Sequence, residues 1–138
     1  MKFITGQFEQ IGVNDSDCVF CGIADGTREA TILLETDRHI CFLDKYPVSE
    51  GHALAVSKTH VESLEEADSV ALYEFLEQAI EEVKRRYDPD GINIGLNEGK
   101  AAGQTISHLH WHIIPRYEGD IADPTGGVRG VIPTERIY

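Results

Sequence analysis

Residues 108–114 read HLHWHII, so three histidines alternate with apolar side chains. Successive side chains of a β-strand point to opposite faces of the sheet, and a period of two therefore predicts a strand, here over His108–Pro115. His108, His110 and His112 then share one face, and the apolar side chains share the other. The pattern predicts that one face of this strand packs into a core while the other carries the chemistry.

Three imidazoles on one strand face are compatible with three interpretations. A solvated face is disfavoured, because such faces usually carry Lys, Glu, Thr and Ser rather than histidine at every outward position. A metal cluster is the second interpretation, since histidines separated by one residue on a strand can converge on one ion. The third is nucleophilic catalysis, in which one imidazole attacks while its neighbours fix its tautomer or bind the anion.

The segment before the histidines favours an anion site. Residues 97–107 read NEGKAAGQTIS, with two glycines flanking a short turn. Its neutral hydrogen-bond donors are Asn97, Gln104, Thr105 and Ser107. Glycines let backbone amides approach a ligand closely, and a concave cluster of amides favours phosphate. An ordinary loop can have the same composition, but a donor-rich turn that leads into histidines favours phosphoryl chemistry.

The periodicity of the whole chain predicts an α+β fold, with an antiparallel sheet of about five strands, one long helix and a short N-terminal helix. The other predicted strands cover residues 30–35, 39–44, 52–57 and 91–96. The long helix begins after Asp68, a natural N-cap, and runs to Tyr87. Its apolar face consists of Leu72, Phe75, Leu76, Ala79, Ile80, Val83 and Tyr87. The short helix runs through CVFC to about Asp25 and ends at Gly26.

Cys18 and Cys21 form a C-x2-C pair, which suits two thiolate ligands of one tetrahedral zinc ion, and His60 follows a predicted strand. A redox dithiol, a disulfide and two buried thiols are the alternatives. No βαβ pattern surrounds the pair and nothing marks the chain as secreted, so zinc is favoured over these alternatives. Cys41 lies in the apolar run ICFL and is predicted to belong to the core.

The run HLHWHII fits the pattern His-φ-His-φ-His-φ-φ, where φ is apolar, and so resembles the histidine triad (HIT) family of nucleotide hydrolases and transferases. The flanking GQTIS and PR, the CVFC at 18–21 and the segment FLDKYPVSEGHALAVSKTH at 42–60 resemble family members too. The resemblance covers most of the chain. It implies a single HIT-like domain over residues 1–138, with residues 116–138 as a C-terminal extension.

The resemblance implies a role for each matching residue. His110 attacks the α-phosphorus of a nucleotide and forms a covalent nucleotidyl-histidine, His112 contacts the phosphate or the bridging atom, and His52 lies behind the nucleophile. Asp44 binds the ribose hydroxyls. The other substrate-binding positions are Phe42, Asn97, Gly103, Gln104 and Thr105. Some relatives complete a zinc site with the first triad histidine, which implies a structural zinc held by Cys18, Cys21, His60 and His108.

The composition bears on partners and location. The 138 residues include 24 acidic and 12 basic side chains, for a net charge of -12. Such a surface repels polyanions, which disfavours a nucleic-acid-binding protein, although a pocket can still bind one phosphate group. Residues 1–17 contain no long apolar run and no small-residue cleavage pattern, so we expect no signal peptide, no membrane span and a cytoplasmic location.

The resemblance implies a homodimer, and the apolar residues of the tail are expected to dock on a neighbour and shape the site: Val128, Val131, Ile132, Ile137 and Tyr138. The sequence predicts a nucleotide hydrolase or nucleotidyl transferase that releases AMP or GMP through His110. Nucleoside phosphoramidates and dinucleoside polyphosphates both stay open as substrates. Phe20, Ile23 and Phe42 are expected to contact a base of unspecified identity. A nucleotide-binding protein with little turnover, and an enzyme with all three histidines on one metal ion, are the alternatives.

Overall fold

The histidine segment forms a central strand of a five-stranded antiparallel sheet in the computed structural model, which describes residues 17–138. The strands are β1 (Ile32–Glu35), β2 (His39–Leu43), β3 (Ala53–Ser57), β4 (Gly91–Leu96) and β5 (His110–Arg116). They lie in the order β1-β2-β3-β5-β4. With the helices α1 (Val19–Asp25) and α2 (Ser69–Tyr87), they confirm the predicted α+β fold.

The structure does not describe residues 1–16. The expectation of no signal peptide rests on residues 1–17, so most of that segment lies outside the described residues. Within residues 17–138, no helix combines the length and the apolar character needed to cross a membrane.

Strand β5 begins two residues later than the alternation predicts. Its pairing with β3 starts at Val56 opposite His110. The amide of Leu109 instead donates to the carbonyl oxygen of Val61, outside the sheet, at 2.8 Å. His108 therefore lies in a bend before the strand and is not held by the strand alternation that places His110 and His112. This bend lets the first histidine turn toward a different site.

The two helices cover opposite faces of the sheet. Alternation along β2 sends Cys41 toward α2, where it packs with Phe75 and Leu76, and sends Ile40 and Phe42 toward α1. Cys41 is fully buried, as predicted. His110 and His112 are two positions apart on β5, so their side chains point to the same face of the sheet, which is the α1 face. The larger core under α2 anchors the sheet, and the α1 face holds the site.

Both predicted helix boundaries are confirmed. Asp68 caps α2 by accepting from the Ala71 amide at 3.2 Å. The buried side chains of α2 are Leu72, Phe75, Leu76, Ala79 and Val83, while Ile80 and Tyr87 are half-buried. Helix α1 begins after Cys18, whose sulfur accepts from the Cys21 amide, and ends at Gly26 in the left-handed region (φ 85°). This cap places two thiols one turn apart.

The C-terminal segment folds back on itself beyond β5. It contains two short 3-10 helices, Gly127–Val131 and Pro133–Glu135. The Arg136 guanidinium donates to the carbonyl oxygens of Asp123 and Thr125, each at 2.7 Å. Gly126 (φ 91°) permits the approach, because a Cβ there would overlap the Arg136 carbonyl.

Candidate active site and metal centre

An open cleft of about 1560 Å³ lies between α1 and the sheet. Strand pairing defines its floor, because Ile32 pairs with Phe42, Phe42 with Leu54, and Leu54 with His112. Neighbouring strands lie about 4.8 Å apart, so this row extends roughly 14 Å from the imidazole to the edge strand. Phe20 and the predicted base-contact residue Ile23 complete one wall. The floor suits a flat apolar group whose polar end reaches the histidines.

His110 presents one unprotonated nitrogen to the cleft. Its Nδ1 lies 2.9 Å from the His108 carbonyl oxygen, which can only accept, so Nδ1 carries the proton and Nε2 keeps a lone pair. Phe20 packs edge-on against the ring, with centroids 5.0 Å apart. Burial lowers the pKa of His110, and so the ring is neutral at pH 7. A neutral, oriented imidazole is what nucleophilic attack requires.

A hydrogen bond from His52 fixes the tautomer of His112. The Val48 amide donates to His52 Nδ1 at 3.1 Å, so the proton of neutral His52 resides on Nε2. His52 Nε2–H then donates to His112 Nδ1 at 2.9 Å, and the remaining N–H of His112 is on Nε2. Burial is the main cause that lowers the pKa of His112 to about 4. Two neutral imidazoles in series thus present a hydrogen-bond donor beside the lone pair of His110.

Asp44 lies at the end of β2 and lines the cleft near these rings. One carboxylate oxygen accepts from the Tyr46 amide at 2.9 Å, and the other lies 3.5 Å from His52 Nε2. Burial lowers the pKa of His52, and Val48 donates to its other nitrogen, so this contact does not involve an imidazolium. Asp44, His52 and His112 lie close enough to share a metal, but the proton on His52 Nε2 disfavours ligation.

The segment before β5 carries four predicted substrate-binding residues, and three of them line the cleft: Asn97, Gly103 and Thr105. Gly103 adopts φ 94°, which favours glycine in the turn after a short 3-10 helix at Lys100–Ala102. The fourth, Gln104, is not among the residues that line the cleft. Its amide oxygen accepts from Gly99, and its nitrogen donates to the carbonyls of Glu62 and Ile106.

A second cluster lies behind the cleft, where α1 meets the bend before β5. Its ligand atoms all lie within 4.8 Å of one another, and they come from Cys18, Cys21, His60 and His108. Cys18 Sγ and His108 Nδ1 are 3.3 Å apart, and Cys21 Sγ lies 3.3 Å from His60 Nδ1 and 3.5 Å from His108 Nδ1. Tetrahedral zinc with sulfur and nitrogen ligands spaces neighbouring donor atoms by roughly 3.3–3.8 Å. The donor chemistry of the cluster therefore fits zinc, and these three distances lie within the zinc spacing.

The surroundings of the cluster prepare the imidazoles for a metal. His108 Nε2–H donates to the Ser57 carbonyl at 2.8 Å, so its Nδ1 lone pair faces the thiols. Burial lowers the pKa of His108 to about 4, which keeps the ring neutral. Glu62 lies 3.6 Å from the outer nitrogen of His60. Because His108 faces the cysteines and His112 bonds His52, the three triad histidines do not converge on one ion.

Sequence reasoning missed the groups that fix the tautomers. These are the Val48 amide and the carbonyl oxygens of Ser57 and His108, and backbone groups leave no signal in residue type. It also missed Glu62, for which a signal exists: a carboxylate two residues after a candidate zinc ligand can contact its outer nitrogen.

The fold and the site define a class of α+β protein. Its antiparallel sheet presents two neutral histidines in a cleft, and a cysteine–histidine ligand set lies behind the cleft. Comparison with protein families then gives the particular family. The HIT domain model matches residues 25–119. This chain belongs to the HIT domain family.

Relatives and solved structures are similar over most of the chain. An uncharacterized HIT-like protein of Methanocaldococcus jannaschii is 41% identical, over 75% of this chain and 81% of its own length. An adenosine 5'-monophosphoramidase of Schizosaccharomyces pombe is 34% identical, over 72% and 74%. An adenylylsulfatase of Arabidopsis thaliana is 39% identical over 76% of this chain, which spans 55% of that protein. A zinc-bound histidine triad family protein from Mycobacterium smegmatis has a TM-score of 0.69 at 37% identity, over 78% of this chain and 80% of that structure.

Proposed function

We propose that this protein is a nucleotide hydrolase or nucleotidyl transferase that cleaves at the α-phosphate through His110 Nε2. The observation that carries the proposal is the 2.9 Å hydrogen bond from His110 Nδ1–H to the His108 carbonyl, because it leaves the Nε2 lone pair free on the cleft side. Two relatives are an adenosine 5'-monophosphoramidase and an adenylylsulfatase, which supports nucleotide chemistry in this family.

The first step forms one bond and breaks another at phosphorus. His110 Nε2 donates its lone pair to the α-phosphorus, and the bond from phosphorus to the leaving atom breaks with its electrons on that atom. A sulfate or phosphate departs as an anion, whereas an amine also takes one proton from water. Nδ1 keeps its proton against the His108 carbonyl and shares the positive charge of the nucleotidyl-imidazole.

The second step regenerates the nucleophile. Water attacks the same phosphorus, the bond to Nε2 returns its electrons to His110, and the nucleoside monophosphate leaves as one proton passes to solvent. In both steps His112 Nε2–H donates to a phosphate oxygen or to the bridging atom, a contact that strengthens as charge develops on oxygen. His52 holds His112 in the tautomer that can make this donation.

The rest of the cleft binds the nucleotide. We place the base on the floor formed by Phe42 and Leu54, the ribose hydroxyls on the Asp44 carboxylate, and the phosphate against Asn97 and Thr105. The cleft is open and extends from the histidines to Ile32 on the edge strand, so a leaving group beyond the phosphorus is not enclosed by the protein. Phosphoramidates and dinucleoside polyphosphates are both compatible with such an open site.

We further propose that the second cluster holds a structural zinc ion. Its two cysteines and two histidines would supply four ligands, the number that a closed structural zinc site uses, so no position would be left for substrate. The zinc-bound relative from Mycobacterium smegmatis supports the assignment of the metal. When bound, zinc supplies a cross-link between α1, the segment after β3 and the bend before β5, and no step of the proposed reaction passes through it.

Covalent trapping tests the proposed function. The zinc-loaded protein is mixed with an α-³²P-labelled adenosine phosphoramidate, quenched with acid-free denaturant and analysed for label on a histidine peptide. We expect label on the unmodified protein and none on His110→Ala, with turnover reduced by several orders of magnitude. AMP affinity should change much less. Absence of label and of product with phosphoramidate, adenylyl sulfate and dinucleoside polyphosphate substrates would favour a nucleotide-binding protein instead.

A further inference from the structure

The segment at residues 97–105, which we call the nucleotide loop, presents different residues to two sides. Asn97, Gly103 and Thr105 line the cleft. Glu98 and Gln104 are not among the residues that line it, and both contact the chain after β3 instead. The loop is thus held from behind by side chains that the proposed chemistry does not use.

Two hydrogen bonds join the nucleotide loop to the segment 60–64. The Glu98 carboxylate accepts from the Leu64 amide at 2.7 Å. Gln104 donates to the Glu62 carbonyl at 3.3 Å, while its own oxygen accepts from the Gly99 amide at 2.8 Å. Gln104 therefore closes the turn of the loop and attaches it to the neighbouring segment at the same time.

The segment 60–64 begins at the metal cluster. His60 Nδ1 lies 3.3 Å from Cys21 Sγ, and its outer nitrogen lies 3.6 Å from the Glu62 carboxylate. The next residue, Val61, accepts from the Leu109 amide at 2.8 Å, between the first two triad histidines. Four residues of chain thus connect a zinc ligand to the two attachments of the nucleotide loop.

We propose that Glu98 and Gln104 are positioning residues that couple the metal site to the nucleotide loop, so that a bound nucleotide and a bound zinc ion stabilise one another. Zinc fixes His60 and thereby the segment 60–64, and the segment holds the loop in the shape that binds phosphate. A nucleotide that orders the loop must raise the affinity for zinc by the factor by which zinc raises the affinity for the nucleotide, because coupling between two binding sites is reciprocal. The inference rests on the proposed nucleotide site, but not on the covalent step.

Equilibrium competition for zinc between the loaded protein and a colorimetric chelator tests the coupling, with and without saturating AMP. In the unmodified protein we expect AMP to protect the bound zinc by raising the apparent zinc affinity at least about fivefold. Glu98→Ala should reduce this protection to less than about twofold, and Glu98→Gln should restore most of it, because an amide oxygen can still accept from Leu64. Asp90→Ala is the matched control: Asp90 also accepts a 2.7 Å hydrogen bond from an exposed backbone amide, that of Glu118, remote from the cluster.

Further measurements separate the coupling from a general loss of structure. Hydrogen exchange of the Leu64 amide should accelerate in Glu98→Ala but not in Asp90→Ala, while thermal unfolding shows whether each variant is folded. AMP that binds but leaves the apparent zinc affinity unchanged, or full protection retained in Glu98→Ala, overturns the coupling and leaves the proposed reaction standing. Protection of zinc by AMP without any covalent label on His110 supports the coupling and overturns the proposed covalent reaction. Failure of AMP to bind overturns both.

Discussion

Replacing His52 by asparagine and by glutamine separates its two hydrogen bonds. An asparagine oxygen takes the place of Nδ1 and can still accept from the Val48 amide, but its side chain is too short to reach His112. A glutamine nitrogen takes the place of Nε2 and can still donate to His112, but it does not reproduce the bond from Val48. Only the glutamine variant should preserve the tautomer that the proposed mechanism requires of His112.

The size of the effect follows from the burial of the bond. The His52 side chain is 4% exposed, so water does not replace the lost donor to His112. An unsatisfied buried polar group costs about 1–3 kcal/mol, and about 1.36 kcal/mol corresponds to a tenfold change in rate. If this cost falls on the transition state, His52→Asn lowers kcat by roughly 5- to 150-fold. His52→Gln should stay within about fivefold of the unmodified protein.

The assay is single-turnover formation of the labelled histidine, with AMP release followed in parallel. Unfolding curves identify any part of the loss that reflects global stability. The tautomer argument is refuted if His52→Asn keeps full kcat, or if His52→Gln loses as much as His52→Asn while both variants stay folded. A change confined to KM would place His52 in ground-state binding.

Two further predictions concern the metal and the pH dependence of stability. Cys18→Ser should reduce zinc from about one ion per chain to near zero, whereas Cys41→Ala, in the core and outside the cluster, should keep it; elemental analysis of purified protein gives the ratio. Burial lowers the pKa of His39 and His52 and brings that of His112 to about 4, below the unfolded value of about 6.5. The unfolded chain thus binds more protons as the pH falls from 6.5 to 4, and the free energy of unfolding should decrease over this window and level out above pH 7. Urea unfolding from pH 4.5 to 8 measures the free energy of unfolding. In His39→Phe, whose ring can still stack on Phe75, this free energy should depend less steeply on pH. A free energy that does not change with pH in the unmodified chain would contradict the buried neutral state.

Much of the fold was predictable because its signals are local. The helix over Ser69–Tyr87 follows from an apolar stripe and the Asp68 cap, which need only neighbouring residues. The apolar run ICFL correctly predicted that Cys41 is buried in the core. Strand ends were less predictable: β1 begins at Ile32 rather than residue 30, because pairing with Phe42 rather than residue type sets its limit.

The sequence by itself determined which residues are candidates: the alternation predicts that the triad histidines lie on a strand, the C-x2-C pair suggests a metal site, and the resemblance to the HIT family implies the role of each residue. Only the tertiary structure shows the contacts that divide these residues between two sites. His108 leaves the strand because Leu109 bonds Val61, and it then meets a thiol 90 residues earlier in the chain. The tautomers of His110 and His112 likewise depend on backbone groups and on a histidine 60 residues away. Such contacts form only when distant segments pack, and residue spacing does not encode them.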